Sequence, residues 1–220
     1  MKKLLLFIFI LTSATLNGQD FSIGIMGGTT SSWEHRTDPR DGITLHNDMH
    51  LSPTFGVNAE LRLFNDFHGI LEANYERKGF EEHYFSTISS VAPTPPESLF
   101  RVDKQSSFDY ISFPILLRYK YGRKIKAFGS VGVSPSVLID AEEFYSRYDF
   151  LVNNTKRFDI GGIIEAGLEW GISSNISLSS GIRYNKSFTH HNKHPYPENG
   201  GELRHVAIAI YGGIKYHIKY

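Results

Sequence analysis

Three histidines stand in the run HHNKHP, at His190, His191 and His194, a spacing that metal sites use, and His35, His46 and His50 lie in an earlier polar stretch. A zinc or copper ion needs several such ligands held in place by a second shell of hydrogen bonds. Both stretches are polar and lack any period, so they read as solvated loop, and no metal or other cofactor is expected. The carboxylates Glu60, Glu72, Glu76, Glu165 and Glu169 could act as general acids or bases. They share their strand faces with Arg62, Arg118, Lys120, Arg183 and Lys215, which makes mutual ion pairing their expected role. No G-x-S-x-G or other nucleophile motif occurs, and cysteine is absent. The pairs Gly27-Gly28, Gly161-Gly162 and Gly212-Gly213 fall inside strands, where glycine relieves crowding and permits bending. The chain therefore offers no catalytic, cofactor-binding or metal residue and is expected not to be an enzyme.

The elements that carry these charges all show a period of two. In Tyr110 to Gly122, YISFPILLRYKYG, the row Ile111, Phe113, Ile115, Leu117, Tyr119, Tyr121 is apolar throughout. The interleaved row is Tyr110, Ser112, Pro114, Leu116, Arg118, Lys120. Such alternation marks a β-strand between an apolar and a polar medium. Seven further segments repeat it, running from Phe21 to about Gly28, Phe55 to Leu63, Phe67 to about Gly79, Ile125 to Val133, Phe158 to Trp170, Ile176 to Tyr184 and Leu203 to Tyr220. Short turns at Asn65-Asp66, Gly122-Arg123 and Ser173-Asn175 alternate strictly with long polar stretches at Thr29–Leu51, Phe80–Ser107, Ser134–Lys156 and Thr189–Glu202. Strands alternate in direction, so all long connections gather at one end of the sheet, as in outer-membrane barrels.

Residues 1–18 read as a secretory signal peptide: Met1-Lys2-Lys3, then the apolar Leu4 to Leu11, then a small polar tail. Cleavage before Gln19 leaves 19–220 as the barrel domain, and cleavage after Ala14 is an alternative. With 23 basic and 23 acidic side chains, no pull toward nucleic acid is expected. The apolar rows could face inward, as in a soluble lipocalin-like carrier, or outward into lipid. Aromatics cluster near the ends of the apolar rows (Phe55, Phe67, Tyr75, Tyr119, Trp170, Tyr184, Tyr216), where interfacial girdles sit. The other row mixes both charges with Gly, Ser and Ala, which suits a narrow, self-paired lumen. The expected fold is an all-β, eight-stranded antiparallel up-and-down transmembrane β-barrel in the cell outer membrane, monomeric and surrounded by lipid. Its long loops, with Trp33, Phe85, Phe100, Phe144, Tyr145, Tyr148, Phe150 and Tyr196, would meet envelope or secretion proteins or pack over the barrel mouth.

YISFPILLRYKYG, the turn after it, the signal peptide followed by Gln19 and the terminal Tyr220 resemble the PorT-like, porin-family outer-membrane barrels. The resemblance implies a barrel of OmpA/OmpX-like size in a Gram-negative outer membrane; it implies no single activity, although PorT itself is tied to protein secretion. It does not imply an open pore, because side chains fill an eight-stranded interior.

Overall fold

The computed structural model describes residues 20–37, 44–46, 48–87, 99–143, 156–189 and 202–218. The leader 1–18, His190, His191, His194 and the loop aromatics Phe144, Tyr145, Tyr148, Phe150 and Tyr196 lie outside them. The strands are β1 (Phe21–Thr37), β2 (Thr44–His46), β3 (Asp48–Phe64), β4 (Phe67–Thr87), β5 (Leu99–Ser112), β6 (Ile115–Gly122), β7 (Ile125–Glu143), β8 (Phe158–Gly171), β9 (Ile176–Ser187) and β10 (Glu202–Ile218).

Every pairing is antiparallel, and β10 returns to β1 over the whole run from Phe21 opposite Ile218 to Thr37 opposite Glu202. That pairing closes the sheet into a barrel. Both β5 and β6 sit between β4 and β7, so they form one bent stave, and β2 continues the β3 stave alongside β1. Eight staves result.

The stretch read as one strand over 110–122 is broken at Phe113-Pro114. Proline has no N–H for the ladder. The neighbours absorb the break: Phe113 N–H donates to the Pro135 carbonyl at 2.8 Å and Glu72 N–H donates to the Pro114 carbonyl at 3.0 Å. Alternation therefore survives it, with Ile115, Leu117 and Tyr119 exposed by 53, 42 and 43 % while Leu116, Arg118 and Lys120 are exposed by 3, 3 and 4 %. The apolar rows face outward, and the polar rows line the interior.

Outward aromatics meet across strands near both ends of the band, Phe55 stacked on Tyr75 at 4.9 Å and Phe67 tilted against Tyr119 at 5.1 Å. Directly beyond Tyr75 on the same row, Arg77 forms a two-pronged ion pair with Asp109, at 2.6 and 2.8 Å. Phe67 and Tyr75 are eight residues apart, about 26 Å along the strand and about 20 Å along the normal of a tilted barrel, close to the apolar height of such proteins.

The short turns lie where expected, with Asn65 at φ 45° and Gly122 at φ 124°. The long connections differ from expectation. Strand continues through Thr37, resumes at Thr44–His46 and again at Asp48, runs to Thr87 with only the Asn65-Asp66 turn between, resumes at Leu99 and reaches Glu143. Trp33, expected in a loop, is thus half-buried on β1, and His50 is half-buried on β3. Beyond the bilayer the outward face of a strand meets water in place of lipid, so the apolar row ends and the period vanishes from the sequence while the ladder persists.

Candidate functional site

The polar rows bring four acids and four bases into one network inside the barrel, from six staves. Lys120 Nζ lies 2.5 Å from Glu60 Oε1 and 2.7 Å from Glu169 Oε2. Lys215 Nζ lies 2.6 Å from Glu60 Oε2 and 3.0 Å from the same Glu169 oxygen. These four side chains form a closed square of alternating charge. Arg118 extends it, reaching Glu60 at 3.6 Å, Glu165 and Ser130 Oγ, the last at 2.8 Å. Arg183 completes the set with hydrogen bonds to both oxygens of Glu72, at 2.8 and 2.9 Å, and to Glu165 Oε2 at 2.7 Å. Glu72 also accepts from Asn74 Nδ2 at 2.8 Å.

The spacing along each stave explains why they meet. Arg118 and Lys120 on β6, Glu165 and Glu169 on β8, and Glu60 on β3 stand on inward rows near the short-turn end, and closure of β10 on β1 brings Lys215 to them. A buried charge left alone would cost several kcal/mol, so formal neutrality of the set is what makes the interior habitable. Aromatic faces help: Arg118 lies 4.0 Å above the Phe128 ring and Arg183 lies 5.3 Å from that of Tyr211.

Apolar side chains are interleaved with these charges. Ile70, Leu116 and Ile163 form one buried cluster, and Met26, Phe128 and Tyr211 form another, with Ile70 opposite Glu60 and Phe128 opposite Lys120 in the ladder. Toward the long-loop end, Lys78 lies 3.6 Å from Glu76 and 3.7 Å from Asp159, over the Tyr110 ring at 4.9 Å. Ser187 donates to Asp159 at 2.6 Å, with Thr189 on its other oxygen at 2.5 Å. Phe108, Tyr110 and Leu138 cap this end, with the His205 ring 5.3 Å from Phe108.

Of the charges expected to pair inside, Glu60, Glu72, Glu76, Glu165, Glu169, Arg118, Lys120, Arg183 and Lys215 do so. Arg62 does not, turning instead to Asp20 at 3.2 Å near the short turns. Sequence reading assigned no role to Lys78, Asp159 or the apolar interior residues. Their signal was present, since Leu116, Phe128, Ile163 and Tyr211 interrupt otherwise polar rows. His35 and His46 face each other as backbone partners across β1 and β2. Among the described residues, no group of three or more His, Asp or Glu side chains is placed to hold a metal ion.

At the long-loop end the sheet outgrows the barrel. β4 and β5 stay paired from Asn74 opposite Ser112 to Thr87 opposite Leu99. Their outer neighbours stop earlier, β3 at Asp48 opposite Glu81 and β7 at Glu143 opposite Ser106. Among the described residues, the ribbon 82–87 with 99–105 is therefore paired only to itself.

Solved barrels share this architecture. Neisserial surface protein A (NspA) superposes with a TM-score of 0.50 at 12% identity, covering 91% of this chain and 97% of that one. Ail, the attachment invasion locus protein of Yersinia pestis, solved with the heparin analogue sucrose octasulfate, gives 0.41 at 16% identity, covering 91% and 99%. At these identities the likeness concerns the fold alone. No match was found among the curated proteins. The model of the outer membrane protein beta-barrel domain matches residues 17–192, most of the chain, and this protein belongs to that family, with its place in the cell outer membrane.

Proposed function

We propose that this is a non-conducting, non-enzymatic barrel that anchors an interaction surface above the outer membrane. The observation that carries the reading is the β4–β5 ribbon. From Arg77, the first charge past the aromatic belt, to Thr87 is ten residues of strand, about 33 Å. A ribbon of that reach, with no partner strand on its edges among the described residues, offers backbone donors and acceptors to an incoming strand, a common mode of protein recognition. The filled interior supports the same reading, because each inward carboxylate of the charge network is engaged by a cation and apolar clusters pack among the charges. The likeness of YISFPILLRYKYG to PorT-like proteins favours an envelope secretion protein as the partner, with the barrel itself a monomer.

Replacing residues 81–105 by an Asn-Gly turn joins Phe80 to Ser106, which are already strand partners. The shortened chain should keep heat-modifiable gel migration and lose the species crosslinked to full-length protein in native membranes. An unchanged crosslinking pattern, or a steady current from the full-length chain in planar bilayers, would refute the proposal.

A further inference from the structure

A cavity of about 240 Å³ opens at the short-turn end, between the Gly122–Lys124 turn, the Ser173-Ser174 turn and the first residues of β1. Its floor is the charge square. Glu60 and Glu169 reach it from below, and each is already shared between Lys120 and Lys215. Its wall holds two histidines: His68 Nδ1 lies 3.0 Å from Glu60, and His217 Nε2 lies 2.8 Å from Ser177 Oγ. Its rim holds Arg123, Lys124 and Lys126.

The lining is not neutral. Its acids are Asp20, Glu60 and Glu169, and Asp20 is held by Arg62. Lys120 in the lining, and Lys215 and Arg62 behind it, pair with these three, which leaves the rim cations Arg123, Lys124 and Lys126, for which no carboxylate lies within ion-pair distance among the described residues. The lining alone holds three acids and four bases, and with the two bases behind it the surplus rises to three positive charges. Lys126 is opposite Glu169 in the ladder, but that carboxylate is committed to the two lysines below. A concave site with charge of one sign focuses the field and concentrates counter-ions. At about 30 Å³ per water, it holds roughly eight waters, room for one hydrated oxyanion head.

We propose that the short-turn mouth is an oxyanion site of the phosphate class, facing the periplasm. The rim supplies the attraction, while the Ser177–His217 pair, whose mutual hydrogen bond leaves one of the two with a proton to donate, supplies a short-range hydrogen bond. The anion could be a free periplasmic phosphate or the headgroup of an inner-leaflet phospholipid, since both present the same chemistry.

The test is NMR of the His68 and His217 rings and the Ser177 amide in the full mature chain. One arm titrates inorganic phosphate into protein in neutral phosphatidylcholine nanodiscs, with chloride at matched ionic strength as control. The other raises the phosphatidylglycerol content with no phosphate present. A saturable shift in the first arm assigns the site to a soluble anion, and a shift confined to the second assigns it to the headgroup. Either should weaken about tenfold in Lys124→Ala/Lys126→Ala, at the exposed turn and the first residues of β7, and remain in Lys186→Ala at the opposite end. No shift in either arm, a shift matched by chloride, or equal response in the double variant overturns the proposal.

Discussion

Arg183→Met should be among the most damaging single substitutions in the interior. Its guanidinium makes the only ion pair of Glu72 among the described residues, leaving that carboxylate with Asn74 alone once the arginine is gone. Glu165 keeps Arg118 and Ser130. The network changes from four acids and four bases to four and three, so one charge is stranded in a buried interior. Breaking a buried pair from one side costs about 3–5 kcal/mol. Glu72→Gln added to Arg183→Met removes the stranded charge, and the double variant should recover roughly half of that loss, a non-additivity of about 1.5 kcal/mol or more. Equilibrium urea unfolding from lipid vesicles, followed by tryptophan fluorescence, reads both quantities. A cost below about 1 kcal/mol for Arg183→Met, or strict additivity with Glu72→Gln, would refute the claim that a neutral charge network fills the lumen.

Three further outcomes follow from the same geometry. Ile115→Arg places a cation on the outward row and should cost about 2–4 kcal/mol, while Ser130→Thr inside should cost less, as measured by the same unfolding. Gly132→Val should fail to fold, because a Cβ there would lie 2.0 Å from the Ile115 carbonyl oxygen; the check is loss of heat-modifiable migration. Gly122→Ala should destabilise by about 1–3 kcal/mol, since φ there is +124° and the new carbon would meet the Ile125 carbonyl at 2.3 Å, and thermal unfolding on gels would detect it.

The parts of this protein legible in its sequence are those where the medium differs on the two sides of a strand. Within the bilayer, Ile115 and Leu117 must be greasy and Arg118 and Lys120 must not, so the rows separate and their direction follows from where the aromatics and charges fall. Above the bilayer that contrast ends. Residues 29–37, TTSSWEHRT, carry no period, yet they pair with β10 rung by rung. The identities of the interior charges were legible, but their partners were not. Lys215 and Glu60 are 155 residues apart and meet because β10 closes on β1, a consequence of stave number and stagger that no local spacing encodes. The apolar clusters around Leu116 and Phe128 were visible as interruptions of polar rows, and only the packed interior shows that they face one another.

The chain has no cysteine, so single cysteines carry spin labels without ambiguity. Labels at 115 to 119 in lipid bilayers test directly whether hydrocarbon covers the outward row. Collision rates with dissolved oxygen should be high at 115, 117 and 119 and low at 116 and 118, with a water-soluble nickel complex reaching none of the five. High nickel accessibility at 115 and 117, or oxygen collision rates without that alternation, would contradict the account.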